Sequence, residues 1–301
     1  PPRASRTAPA ARRSRHRAAS AAPHGRLRPR PLFAPGCTFF RRWQGIELRN
    51  GSRRPLEAPS GISTLHEVQD AIDQKVTFLG KENIKFFDAY LLLIIDSLKK
   101  NNLDLAFKYV SDAFILSEQN RFNLAILENF QQYVYLFKER KFLNDKKNFG
   151  KLLIISETFQ RCYLGDPKTE NYFSNLINDP ESDFTRYIYF YLTYLVENDE
   201  LEKAQKIVND LDYLNSTLLL SQGKSWIENK NYEKLNKVFS CKNHNDLIAE
   251  FLFLISNLYS SQDDFEKSNF YLNLSNYLNP KFIFNLSLVV ENHYLNKDYK
   301  K

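Results

Sequence analysis

The sequence predicts an all-α fold, arranged as a solenoid of antiparallel helix pairs. Three observations point to it. Residues 63–301 hold only three prolines and four glycines, their apolar residues recur at helical spacing, and a helix-start pattern repeats every 31–34 residues. Strand-like alternation bounded by turn residues is missing from this part of the sequence. The helical period is clear at Leu252, Ile255, Leu258 and Tyr259.

Short connections rich in Asn and Asp separate the predicted helices. Connections of this length favour antiparallel packing of neighbouring helices. The predicted helices cover residues 84–100, 103–119, 122–138, 144–162, 168–178, 184–198, 201–213, 216–229, 231–240, 246–260, 264–278 and 281–295.

Residues 1–62 stand apart from the rest by composition. They hold 14 Arg, no Lys and two acidic residues, so their net charge is +12. Residues 63–301 hold 28 basic and 33 acidic residues, a net charge of −5. Nine prolines and no apolar periodicity predict that residues 1–62 are disordered. The helical repeat domain is therefore assigned to residues 63–301, and its acidic balance does not favour nucleic-acid binding.

Three interpretations of residues 1–62 stay open. The favoured one is a non-native or leader-like segment, because its Arg, Ala, Pro and Gly use GC-rich codons, whereas the Lys, Asn, Ile and Phe of the body use AT-rich ones. An organellar transit peptide would also be rich in Arg and poor in acids, but the prolines oppose the amphipathic helix that it needs. The third is a basic arm that binds nucleic acid or an anionic membrane.

Neither the cysteines nor the apolar runs fix the compartment. Cys37, Cys162 and Cys241 are widely spaced and odd in number, so we expect buried free thiols rather than a disulfide framework. The longest apolar run near the start of the body, residues 89–95, is far shorter than the roughly 20 residues that a bilayer span needs. The body is therefore expected to be soluble, in the cytoplasm or the periplasm.

One helix-start pattern recurs along the body. A polar or acidic residue suited to a helix N-terminus is followed by a bulky residue and, three positions later, by a residue that is usually small. A period built from two helices in this way is typical of a solenoid. The pattern opens at Asn102, Glu200, Asn231, Asp264 and Asp298. Its small positions are Ala106, Ala204, Leu235 and Ser268, spaced 98, 31 and 33 residues apart.

With this pattern the body resembles the tetratricopeptide repeat (TPR) family, whose motif sets large and small residues at fixed positions of two helices before a Pro. The resemblance implies that small residues occupy the closest helix crossings and larger ones fill the gaps between repeats. The fullest unit, residues 249–282, supplies Leu252, Ile255, Ser256, Tyr259, Ser268, Leu272, Ser275 and Pro280. Other units match through Ala106, Val110, Ala113, Ala204, Val208, Gly223, Trp226, Leu235 and Phe239. The order and spacing are also similar to those of long TPR proteins of alphaproteobacteria.

Small size, rather than a hydroxyl group, is expected to matter at Ser256 and Ser275, because the sequence implies no hydrogen-bond partner for either. Replacement of these residues by Ala is therefore expected to leave stability nearly unchanged. Replacement by Leu is expected to overpack the helix crossing.

The resemblance also implies a concave groove, lined by the first helix of each repeat, that binds a peptide or helix of an unidentified protein partner. The candidate positions are aromatic, neutral or acidic, so the basic clamp for chaperone C-terminal carboxylates is not matched and chaperone tails are disfavoured. An apolar or basic ligand is expected instead. The groove-facing candidates are Phe253, Asn257, Ser260, Ser287, Glu291 and Tyr294.

Sequence patterns for catalysis are weak, and no catalytic residue, cofactor or metal is predicted. There is no Gly-rich phosphate loop and no nucleophile elbow. Cys241 and His244 are three positions apart, but no second pair completes a four-ligand site, so a turn thiol and a surface imidazole are expected. His66 and His293 are isolated, and Asp263-Asp264 is read as a turn and helix start.

The sequence therefore predicts a noncatalytic TPR-like scaffold for protein–protein contacts. The alternative is a helical regulatory or substrate-recruiting region of a larger enzyme whose catalytic domain lies outside this chain. The last pattern, at Asp298, stops before its small position, so the repeat domain is expected to be incomplete at its C-terminus. The predicted helix 281–295, which presents Leu286, Val289 and Val290, is then expected to fray or to self-associate.

Overall fold

Twelve α-helices account for most of the residues that the computed structural model describes, namely 86–117, 120–143, 151–178, 185–211 and 218–297. These ranges contain no strand, so the prediction of an all-α protein is confirmed for them. A 3₁₀ turn, Ile283–Asn285, precedes the last helix. The helices are α1 Phe87–Lys99, α2 Leu103–Ser117, α3 Arg121–Glu139, α4 Lys151–Leu164, α5 Thr169–Ile177, α6 Thr185–Glu197, α7 Leu201–Asp210, α8 Leu218–Glu228, α9 Tyr232–Val238, α10 His244–Ser260, α11 Phe265–Leu278 and α12 Leu286–Leu295.

Polar side chains fix the starts of several helices. The Asn120 side chain accepts hydrogen bonds from two backbone N–H groups in the first turn of α3. Asn243 caps α10 in the same way, and Asp264 caps α11 by accepting from the backbone N–H of Lys267. Such caps satisfy N–H groups that have no partner within the helix. The predicted reading of Asp263-Asp264 as a helix start is confirmed.

The recurring helix-start pattern coincides with a recurring turn. At Asn101 the backbone adopts a left-handed conformation with φ of 56°. The N–H of Asn101 donates to the carbonyl of Leu98 at 2.9 Å, and that of Asn102 donates to the carbonyl of Ser97 at 2.8 Å. This pair of bonds is the Schellman motif that closes a helix C-terminus. Left-handed residues occupy the matching position in three further turns, at Asp199, Lys230 and Asp263.

Helix α10 lies at the centre of the described structure. Its side chains are buried on all sides, as expected of a helix that is apolar around its whole circumference. It makes its most extensive contact with α11, the next helix in the chain. It also contacts α1 and α4, which are distant in sequence.

Several contacts join the first helices to the last ones. The ring of Phe130 in α3 meets that of Phe251 in α10 edge-on at 5.4 Å between centroids. The Tyr277 hydroxyl of α11 donates a 3.2 Å hydrogen bond to Asp96 of α1. In a solenoid each unit contacts only its neighbours. An open stack of helix pairs therefore does not account for these contacts, and α10 with α11 forms a hub for the other helices instead.

A disulfide joins Cys162, in the last turn of α4, to Cys241, in the turn between α9 and α10. The prediction of free thiols is therefore wrong for this pair. Sequence spacing could not reveal it, because the two positions are 79 residues apart and meet only through tertiary packing. The predictions for residues 1–62 and for His66 concern residues outside the described ranges.

Candidate partner-binding surface

Helix α12 docks on α10 and α11 through a small apolar contact. Leu288 is 4% exposed and packs against Phe253 of α10 and Leu272 of α11. Val289 covers the edge of this cluster. The cluster is separate from the main hydrophobic core, so apolar packing alone attaches α12 at few points.

A buried hydrogen-bond network adds to that attachment. Asn292 of α12 is fully buried, and its side-chain oxygen accepts a 2.7 Å hydrogen bond from the Ser260 hydroxyl of α10. Its amide nitrogen donates to the Ser268 hydroxyl and to the Asn269 side-chain oxygen of α11, each at 2.8 Å. Because all three helices share this network, it fixes the register of α12 on the α10–α11 pair.

A second polar cluster anchors the segment just before α12. Asn285 donates a 3.0 Å hydrogen bond to the Ser275 hydroxyl, which itself donates to the carbonyl of Ala249 at 2.7 Å. The Asn285 side-chain oxygen accepts from Arg186 of α6 at 2.7 Å. The 3₁₀ turn is thereby bound to α6, α10 and α11 together.

Arg186 is itself held in a two-point ion pair with Glu250 of α10. The two N–H···O distances are 2.9 and 2.7 Å, and the Glu250 side chain is 1% exposed. Burial raises the pKa of Glu250, and the Arg186 charge opposes that rise. The guanidinium carbon also lies 3.8 Å from the ring centroid of Phe253, a cation–π contact. Such a pair is costly to break, since loss of either partner strands a buried charge.

The opposite side of α12 is apolar and exposed. Leu286, Val290 and Tyr294 follow one another at helical four-residue spacing and are 41%, 65% and 56% exposed. Ile283, in the 3₁₀ turn, extends the same stripe and is 59% exposed. We call these four residues the outer face of α12. Exposed apolar side chains gathered on one helix face are typical of interaction sites, whereas scattered ones are ordinary.

The predicted repeat-packing positions are buried, apart from Trp226 and Pro280, which are half-buried. Gly223 shows why a small residue is needed in α8: a Cβ there would lie 2.8 Å from the ring of Tyr189 in α6. Pro280 comes two positions after the end of α11, and a proline disfavours helical geometry at the residue before it, here Asn279.

The sequence implied no hydrogen-bond partner for Ser256 or Ser275, and that expectation is wrong. The Ser256 hydroxyl lies 2.8 Å from the Ser268 carbonyl and 2.9 Å from the Ser268 hydroxyl. Ser275 takes part in the network around Asn285. Both hydroxyls therefore link helices, because the close crossings that need small residues also bring polar groups of two helices within bonding distance.

Of the six groove-facing candidates, two are buried beneath α12. Phe253 is 9% exposed in the apolar cluster with Leu288, and Ser260 is 8% exposed and bonded to Asn292. The prediction that these two face an open groove is wrong, because α12 occupies that position. Tyr294 belongs to the outer face instead. The remaining candidates are half-buried at Asn257 and Glu291 and exposed at Ser287.

His244 and His293 both lie on helices and are half-buried. The Nε2 atom of His244 lies 3.0 Å from the carbonyl oxygen of Leu98, and its ring packs against Phe137. The expectation of a surface imidazole is therefore wrong, since His244 joins α10 to α1 and α3. His293 is half-buried on α12. Within the described ranges, no group of three or more His, Cys, Asp or Glu is placed to hold a metal ion.

No protein-family model matches the chain, and no curated protein or solved structure matches it either. None of the helices in the part of the chain that the structure describes has the length and apolarity needed to cross a membrane.

Proposed function

We propose that the helical body is a noncatalytic TPR-like scaffold that binds a partner polypeptide through the outer face of α12. The single observation that carries this proposal is the exposed apolar stripe of Leu286, Val290 and Tyr294 on a helix whose other side is fixed to the hub. The partner that fits it is an amphipathic helix with apolar side chains at three- and four-residue spacing, because such a helix covers a stripe of the same period.

The attachment of α12 supports this role. A binding surface is most effective when its side chains are held in place before the partner arrives, since less conformational entropy is then lost on binding. The networks around Asn292 and Asn285 hold α12 from beneath without using any residue of its outer face.

The TPR-like part of the proposal draws support from the repeated turn. Schellman turns at Asn101, Asp199, Lys230 and Asp263 each stand five residues before a small position of the sequence pattern. Local geometry and sequence period thus coincide in four helix pairs. The contacts of α10 with α1 and α3 are additional to those between successive helix pairs, so the proposed scaffold differs from an open stack of repeats.

Site-specific photo-crosslinking tests the proposed surface. The full chain would carry a benzophenone side chain in place of Val290 and be irradiated in an extract of its own cells. The matched control places the same group at Ser111, which is exposed on α2. We expect a discrete polypeptide adduct at position 290 that is lost when Leu286→Asp is added. Equal adduct patterns at the two positions would overturn the proposal.

A further inference from the structure

The Cys162–Cys241 disulfide connects two parts of the fold that are distant in sequence. Its Cα atoms are 5.8 Å apart, within the usual range for a disulfide. The two residues are 2% and 3% exposed. The bond closes a long loop, since 79 residues separate its ends, and it fixes α4 to the turn that leads into the central helix α10.

The residues beside the two cysteines explain why they meet. Phe159, one turn before Cys162, packs against Phe239, two positions before Cys241, with 5.8 Å between ring centroids. Phe190 of α6 contacts both rings, at 5.2 and 4.5 Å. This aromatic packing holds the two cysteines close together. The disulfide therefore forms between residues that the core already places side by side.

We propose that this disulfide is a permanent structural cross-link that the chain acquires in an oxidising compartment. The oxidant is an external disulfide, either of low molecular weight or carried by an oxidoreductase. A thiolate of one cysteine attacks it and releases one thiol, and the second thiolate then displaces the other thiol from the mixed disulfide. Cys162 and Cys241 together lose two protons and two electrons, and the external disulfide gains them as two thiols.

The burial of both cysteines favours a structural role for the bond over a regulatory one. Reduction requires a thiolate to reach one of the sulfur atoms, and in the folded chain both cysteines are buried. A reductant can therefore act only after α4 separates from the turn before α10. Structural disulfides of this kind are common in oxidising compartments and rare in the reducing cytosol.

Thiol counting on the full chain tests the cross-link. After equilibration in an oxidising glutathione buffer and unfolding in an alkylating reagent, we expect no reactive thiol at Cys162 or Cys241, whereas Cys37 should be recovered as a free thiol or as a mixed disulfide with glutathione. Mass spectrometry should find a peptide that links Cys162 to Cys241. In a reducing glutathione buffer the link should persist for hours in the folded chain and disappear once denaturant is added. Three reactive thiols in the oxidising buffer, or a link that includes Cys37, would overturn the proposal, and so would rapid loss from the folded chain.

Thermal unfolding gives an independent readout. The oxidised chain should melt about 10 °C above the chain carrying Cys162→Ser and Cys241→Ser, because closure of a long loop restricts the unfolded state. Cys37→Ser is the matched control and should keep the full difference between oxidised and reduced samples. Acid-quenched cells that carry the chain naturally should yield the linked peptide, and free thiols at both positions there would contradict the oxidising compartment.

Discussion

The Ser260 hydroxyl donates a 2.7 Å hydrogen bond to the side chain of Asn292, which is 32 positions further along the chain. The Asn292 amide makes three hydrogen bonds, one at its oxygen and two at its nitrogen, and the residue has no exposed surface. The pair therefore links the last helix to the central one by polar rather than apolar contact.

Replacement of Asn292 by Ala should lower the free energy of unfolding by about 2–3 kcal/mol, because it leaves buried hydroxyl and amide groups without partners. Amide hydrogens of α12 should then exchange much faster, while those of α10 keep their protection. Asn296→Ala, at the exposed end of the same helix, is the control and should change stability by less than about 0.5 kcal/mol. Equal effects of the two substitutions would show that the network does not hold α12.

Ser256→Ala should destabilise the protein by about 1–2 kcal/mol, since the hydroxyl that is removed bonds to Ser268 of the facing helix. Ser111→Ala removes a hydroxyl that bonds only within its own exposed helix, and alanine is the better helix former. That control should leave stability unchanged or slightly raised. Urea denaturation of both variants decides the matter, and a neutral Ser256→Ala would mean that only size counts at this crossing.

Lys230→Gly should stabilise the protein by about 0.5–1 kcal/mol. Lys230 has φ of 56°, where a Cβ is unfavourable and glycine is not. Asn229→Gly, one position earlier and outside the left-handed region, should instead destabilise it, because glycine there adds freedom to the unfolded chain and removes the hydrogen bond from the Asn229 amide to the Ser225 carbonyl. Thermal melts of the two variants should therefore shift in opposite directions, and shifts in the same direction would contradict the role given to this turn.

Asp246 should make stability fall as the pH rises. Burial raises its pKa from 3.8 to about 7, although the backbone N–H of Ser240 and the charges of Lys281 and Lys99 oppose the rise and Glu197 adds to it. The folded state thus holds the proton more tightly than the unfolded state does. This group contributes stability below about pH 4 that is lost as the pH rises through about 7.

Asp246→Asn keeps an acceptor for the Ser240 N–H group and removes the charge. The free energy of unfolding of the variant should exceed that of the unmodified protein by about 2–4 kcal/mol at pH 8 and by little at pH 4. Asp210→Asn, at an exposed position, is the control. It should change the free energy of unfolding by the same small amount at both pH values. Denaturant titrations at both pH values give the comparison, and a gain for Asp246→Asn that is the same at each pH would be inconsistent with a buried, titrating carboxyl.

The sequence predicts the helices well because their boundaries depend on local chemistry. Asn120, Asn243 and Asp264 cap helices where a polar residue precedes an apolar period. Buried small positions such as Ala106 and Ser268 follow from the repeat. By contrast, the left-handed turns at Asp199 and Lys230 carry no glycine, so the residue type at these positions does not reveal their backbone conformation.

The missed features are those that depend on distant residues. Neither the pairing of Cys162 with Cys241 nor that of Arg186 with Glu250 follows from spacing along the chain. The polar partners of Asn292 lie on two other helices, so its role in holding α12 is visible only in the folded structure. Of the three apolar residues that were expected from the sequence to be uncovered, Leu286 and Val290 are exposed, whereas Val289 packs against the small cluster around Leu288.

The outer face of α12 is the proposed binding surface, and the most direct test of that role is the affinity of the cross-linked polypeptide for the purified full chain. Fluorescence anisotropy would compare the unmodified chain with Val290→Glu and with Ser111→Glu, which adds the same charge on α2. We predict that Val290→Glu weakens binding by about tenfold or more, while Ser111→Glu leaves it unchanged. Equal affinities of all three chains would contradict the central claim.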